Sequence, residues 1–288
     1  MSAARDGGWL HPMIIDAHAH ILPDRVRDNL DQITAAEPWF AACHARGQRM
    51  ASAESLVAAM EENGVDRTVC FSWPFADPGL CAEANDYVAA ACGRFPDRLV
   101  GFGVIQPADP GAAREVTRCA QLGLRGVGEL NADAQGWALL GDGVDAAVAE
   151  SIAADMPWTL HCSEPVGHDY PGKGSVRPDR VMHFAQRHDE LRLICAHLGG
   201  GLPLYAHISE VRDVCERLYF DTAAQPFVYE PSVYRAIADA VGVERILLGS
   251  DHPLLDVSRY LRALDDAGLD DAQRAAVAGG NAARLLRL

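Results

Sequence analysis

Short apolar runs alternate with amphipathic stretches along almost the whole chain. The apolar runs, bounded by turn residues, predict strands over 14–18, 67–72, 99–105, 124–129, 158–161, 191–197, 218–221 and 245–250. Between them apolar positions recur at three- and four-residue spacing. That period predicts helices over 54–63, 81–95, 110–122, 144–155, 178–187, 203–215, 231–241 and 257–267, with a closing helix over 271–286. Several open on proline or an acidic residue, as first helical turns do. Strand and helix alternating eight times predict an α/β fold of the (β/α)8 barrel type, a TIM barrel. A doubly wound open sheet is the rival, but no glycine-rich phosphate loop follows the first strand. Residues 21–50 form a long insertion after that strand, where barrel insertions overhang the mouth.

Composition narrows the picture. The chain has 288 residues, of which 49% are hydrophobic, enough for one large core. Residues 1–12 read as a flexible tail and 13–288 as a single domain. A formal charge of -15 leaves no basic face for nucleic acid or an anionic membrane. A small-molecule substrate, even an anionic one held by a few local cations, remains open. The eight cysteines are scattered with no Cys-x-x-Cys pair, which suggests reduced thiols in a cytoplasm. No secretory leader or membrane-length apolar run is visible.

The chemistry gathers where the strands end. The first strand leads into His18-Ala19-His20. Side chains two apart on a strand share a face, so both imidazoles point one way and suit a borderline divalent metal such as zinc. Other strand ends carry Glu129, His161, His197 and Asp251. One such residue alone would be a hydrogen-bonded rim histidine or a helix-capping aspartate. Together, buried at one barrel mouth without a cation, they would be an unfavourable collection of polar groups.

The phrases Ile14-Ile15-Asp16-Ala17-His18-Ala19-His20, Ala196-His197-Leu198-Gly199-Gly200 and Leu247-Leu248-Gly249-Ser250-Asp251, with the late Gly280-Asn281-Ala282-Ala283-Arg284-Leu285, resemble the amidohydrolase superfamily of metal-dependent barrels. The branch they resemble is the amidohydrolase-related one, which includes aminocarboxymuconate-semialdehyde decarboxylases. The resemblance runs from Met13 to the end of the chain. It implies His18, His20, His161 and Asp251 as metal ligands, and His197 as a second-site ligand or a polariser of substrate. The fourth strand offers Glu129 where other members carry a carboxylated lysine. Glu129 either bridges two metals or is a structural carboxylate at the mouth.

The resemblance implies one or two divalent ions, zinc first and manganese second. An activated water, with Asp251 as general base and acid and His197 at the oxyanion, would hydrolyse an ester, lactone or amide. The alternative is non-oxidative decarboxylation of a small unsaturated or aromatic acid. Metal binding by Glu129 is expected to favour the hydrolase, and its absence the lyase. A barrel kept only as a binding scaffold is disfavoured by the intact donor set. Ser163 is a poor nucleophile candidate beside a metal.

The loop 164–174 after the fifth strand is rich in Gly and Pro. Its Lys173 is expected to hold a substrate carboxylate or phosphate, with Glu164, His168 and Tyr170 beside it. Trp73 and Asn131 are further pocket candidates, and Asp221 is a candidate partner fixing a ligand histidine. His11, His44, His183, His188 and His207 read as ordinary. A homodimer is a common arrangement for such barrels.

Overall fold

The structure is a computed structural model and describes residues 13–44, 47 and 49–288. The tail expected over 1–12 and its His11 lie outside the described residues. Eight strands appear where eight were expected: β1 (Ile15–His20), β2 (Arg67–Phe71), β3 (Leu99–Gly101), β4 (Val127–Leu130), β5 (Trp158–Leu160), β6 (Leu193–Cys195), β7 (Tyr219–Asp221) and β8 (Ile246–Leu247). Every pairing between neighbours is parallel. Parallel bridges from Gly103 to Val127 and from Ala19 to His252 join β3 to β4 and the end of β8 to β1. The amides of Ala17 and His20 reinforce the second seam, donating to the carbonyls of Leu248 and His252 at 2.7 Å each. The result is a (β/α)8 barrel whose strands are buried on both faces, which is why they read as apolar runs rather than alternating ones.

The helices follow the expected order, with ends set by local chemistry. Ser52 and Ser55 form a capping box for Ala53–Asn63, and Gly64 ends that helix in the left-handed region. Asp77 caps Pro78–Arg94 by accepting from the amide of Leu80. Two expected helices are broken. The 203–215 stretch is a 3-10 turn (Leu202–Tyr205) followed by Ser209–Cys215, and the closing helix is interrupted by a π turn over Ala276–Gly280. That turn lies against the start of β1. A Cβ on Gly279 would stand 2.0 Å from the Met13 carbonyl, so only glycine allows the approach.

The closing segment covers the amino-terminal end of the barrel. The Asn281 amide donates to the carbonyls of Val243 and Ile246, and Arg125 and Arg192 donate to Leu286 and Leu285. The opposite end carries the 21–50 insertion as three short helices, Asp24–Asp28, Leu30–Ala36 and Pro38–His44. Buried Glu37 anchors it, accepting from the amides of Ala76 and Asp77 beyond β2. Among the described residues no helix is long and apolar enough to cross a membrane.

Candidate metal centre

Four imidazoles and two carboxylates converge at the carboxyl ends of the strands. β1 supplies His18 and His20, whose Nε2 atoms lie 3.3 Å apart. Asp251, just after β8, places Oδ1 3.5 Å from His18 Nε2 and 3.2 Å from His20 Nε2. Glu129 on β4 sits between two groups. Its Oε2 is 3.9 Å from His20 Nε2, while Oε1 is 3.0 Å from His161 Nδ1 and 3.2 Å from His197 Nε2. The last two nitrogens are 3.0 Å apart.

The backbone is bent to bring them together. His197 and Asp251 both adopt left-handed φ values, 57° and 58°, which is uncommon for non-glycine residues and concentrates at functional sites. β6 therefore stops at Cys195, two residues earlier than its apolar run suggests. β4 begins later than expected, and its register against β5 shifts between Val127 and Leu130, where Gly128 runs at φ 125° with the Thr159 carbonyl only 2.4 Å from where a Cβ would be.

The outward nitrogen of each ring has an acceptor. His18 Nδ1 faces Asp221 Oδ2 at 2.9 Å, His20 Nδ1 the Ser72 carbonyl at 3.3 Å, His161 Nε2 the Gly172 carbonyl at 2.9 Å, and His197 Nδ1 the Ala223 carbonyl at 3.1 Å. These partners can only accept, so they match the tautomer with the ring proton on the outward atom, the one that frees the inward nitrogen for a metal. Four inward lone pairs are left facing one another and two carboxylates. That arrangement is repulsive unless a cation sits among them. Donor separations of 3.0–3.5 Å are what metal–ligand bonds of about 2.1 Å produce at near-tetrahedral to octahedral angles.

The electrostatics agree. Burial alone would keep His18 neutral, but the charge of Asp221, then of Glu129 and Asp251, raises its pKa to about 10. Burial likewise opposes, and Glu129 drives, a rise in His197 to about 9. Burial would raise Asp251 and Glu129, yet the surrounding imidazoles pull both down. The carboxylates draw positive charge into this site, and a divalent cation supplies it.

Above the donors lies a cavity of about 790 Å³. Of the candidate substrate contacts, Trp73, Asn131, His168 and Tyr170 line it. Asn131 Oδ1 caps the short helix Ala132–Gln135, accepting from the amides of Asp133 and Ala134. Lys173 and Glu164, also expected at the substrate, are not among the residues that line it. Lys173 Nζ is 3.1 Å from Glu164 Oε1 and donates to the carbonyls of Val166 and His168, so its hydrogen bonds stay within its own loop. His44 is not ordinary. It lines the cavity, stacks on Phe40 and meets Trp73 edge-on. Trp39, Arg49, Phe227 and Arg259 also line it and were missed. The signal available for three of these, His44, Trp39 and Arg49, was their place in the mouth insertion. Asp221, in contrast, stands where expected, against His18.

Fold and donors together define a barrel built for divalent metal. The chain belongs to the amidohydrolase family, whose model, described as "Amidohydrolase", matches residues 15–288. It is similar to the gamma-resorcylate decarboxylase of Rhizobium radiobacter, 25% identical over 253 residues that cover 73% of this chain and 76% of that protein. Among solved structures it resembles 5-carboxyvanillate decarboxylase from Sphingomonas paucimobilis, with TM-score 0.78, 20% identity and coverage of 96% and 100% of the two chains. It also resembles 5-carboxyvanillate decarboxylase from Novosphingobium aromaticivorans complexed with manganese and 4-hydroxy-3-methoxy-5-nitrobenzoic acid, with TM-score 0.77, 18% identity and coverage of 98% of each chain. The expectation of a hydrolase is corrected by these relatives, which are lyases by name. The inference from Glu129 to hydrolysis fails for a physical reason: a carboxylate near a metal sets the local charge, not which bond of the substrate breaks.

Proposed function

We propose that this chain is a metal-dependent, non-oxidative decarboxylase of a small aromatic acid carrying a hydroxyl beside the carboxylate. The observation that carries the reading is the set of inward-facing donors at the floor of an aromatic-walled cavity. The names of the relatives support decarboxylation as the reaction. Trp39, Trp73, His44 and Tyr170 offer ring faces and edges to a planar substrate, and the exposed Arg49 and Arg259 offer positive charge to an anionic one.

His18, His20 and Asp251 would hold one divalent ion, and His161, His197 and Glu129 a second, with Glu129 shared between the two groups of donors. Bound there, divalent ions would neutralise and orient the substrate's carboxylate and phenol oxygens. Manganese fits a donor set of imidazoles and carboxylates without thiolate, as zinc also does, and it accompanies the ligand in the Novosphingobium relative.

The proton is handled by Asp251. Its carboxyl is held ionised, so it meets the substrate as a base. One oxygen, Oδ1, faces His18 and His20, and the side chain reaches the cavity. Asp251 accepts the proton of the ortho hydroxyl and passes it to the ring carbon bearing the carboxylate. The C–C bond then breaks, its electron pair returns to the ring, and carbon dioxide leaves. The phenolate takes a proton from solvent, so one proton is consumed per turnover.

The test is to load purified protein with manganese or zinc and supply 2,6-dihydroxybenzoate and other ortho-hydroxybenzoates. Carbon dioxide and the matching phenol should appear in equal amounts. Fully metallated protein that releases none from the whole panel would sink the decarboxylase reading. The eight cysteines are all free, which favours a reducing compartment.

A further inference from the structure

The loop after β5 contains a nearly enclosed ion pair that the reaction above does not use. Lys173 and Glu164 side chains are only 9% and 10% exposed. Such a pair gains little stability by itself, because desolvation offsets the Coulomb attraction. Its effect lies in what it holds. The Lys173 amide donates to the Tyr170 carbonyl at 3.1 Å, closing the turn Tyr170-Pro171-Gly172-Lys173. Proline at the second position and Gly172 at φ 100° at the third are what a type II turn requires. Glu164 ties both ends of this turn, taking Lys173 Nζ on Oε1 and the Tyr170 hydroxyl on Oε2 at 2.8 Å.

The peptide between Gly172 and Lys173 is one rigid plane. Its N–H is fixed by Tyr170, and its carbonyl accepts the Nε2 proton of His161 at 2.9 Å. With the proton on Nε2, Nδ1 presents its lone pair 3.0 Å from Glu129 and 3.0 Å from His197. The same turn carries Tyr170 and Gly172 on the cavity wall.

We propose that Lys173 is a positioning residue: clasped to Glu164, it holds the Gly172 carbonyl that sets the ring orientation and tautomer of His161, coupling the cavity wall to the metal centre. The proposal rests on the metal reading above. Loosening the clasp frees the carbonyl, lets the His161 ring turn, and weakens the ion held by His161, His197 and Glu129. The donors on the His18 side are left intact.

The experiment compares full-length wild type with Lys173→Met, the double variant Lys173→Met/Glu164→Gln, and Lys173→Arg. Zinc and manganese affinities are measured by chelator competition, and the His161 tautomer by 15N NMR with and without zinc. The double variant removes both charges at once and leaves neither buried alone, so its melting temperature reports whether the fold survives. Expected is a fall of about 10–100-fold in affinity for one class of ion, the scale for groups that orient a metal ligand. A mixed His161 tautomer should accompany it, and Lys173→Arg should restore both. A double variant that melts like wild type, binds with wild-type affinity and keeps a single Nε2–H tautomer overturns the clasp. Wild type that takes up no divalent ion sinks the metal reading, while the tautomer in metal-free protein still judges the clasp.

Discussion

Asp221 Oδ2 accepts the Nδ1 proton of His18 at 2.9 Å, and both side chains are fully buried. The other oxygen, Oδ1, accepts from the backbone amides of His197 and Ala223 at 3.1 and 3.0 Å. One carboxylate on β7 thus fixes a ring on β1 and the strained turn after β6. Gly249 lets the chain just after β8 pass close beside both residues, since a Cβ there would stand 2.9 Å from the His18 Cβ and 3.2 Å from that of Asp221. Asp221→Asn should lower metal affinity about 10–100-fold by replacing a charged acceptor with an amide that must also find a donor role. Chelator competition measures this, and unchanged affinity would remove Asp221 from the support of the site.

Asp251→Asn tests the proton step separately from metal binding. An amide can present a ligand oxygen but cannot take and return a proton. Turnover should fall about 10²–10⁴-fold, the usual contribution of general acid–base catalysis. Metal content should be recorded on the same sample. A variant that keeps its metal and turns over near the wild-type rate would eliminate Asp251 as the shuttle.

The eight strands and the six candidate donors were legible because both rest on chain-local signals: buried parallel strands are apolar runs, and the candidates sit at their carboxyl ends. Lys173 shows where such signals stop. A lysine between glycines in a mouth loop looks free, and only the folded turn reveals Glu164 beside it. His44 and Trp39 were lost for the opposite reason. They lie on a short helix whose orientation over the mouth is set by Glu37 reaching the amides after β2, a contact 39 residues away in sequence. Glu129 was visible as a residue, but the placing of its two oxygens against two groups of rings depends on backbone geometry at Gly128.

The amino-terminal end of the barrel should behave as pure scaffold. Asn281 is buried and its amide donates at 2.9 and 2.8 Å to the carbonyls of Val243 and Ile246, which lead into β8. Asn281→Ala leaves those carbonyls without their donor and should cost about 1–3 kcal/mol. Thermal unfolding would show this as a fall in melting temperature, while metal affinity and turnover of the remaining folded protein stay at wild-type values. Loss of metal in proportion to stability would mean that the two ends of the barrel are coupled.

Glu129 is the residue on which the number of ions can be tested. Its Oε1 lies within 3.2 Å of nitrogens from His161 and His197, while Oε2 faces His20 at 3.9 Å. Two-ion sites place the metals about 3.5–4 Å apart and share a bridging ligand between them. Saturated wild-type protein should therefore carry close to two equivalents by elemental analysis, and manganese-loaded protein should show a spin-coupled pair by electron paramagnetic resonance. Glu129→Gln removes the bridging charge and should leave one equivalent, held by His18, His20 and Asp251. One equivalent in wild type, unchanged in Glu129→Gln, would reduce the site to a single ion and make Glu129 a structural neighbour of His161 and His197.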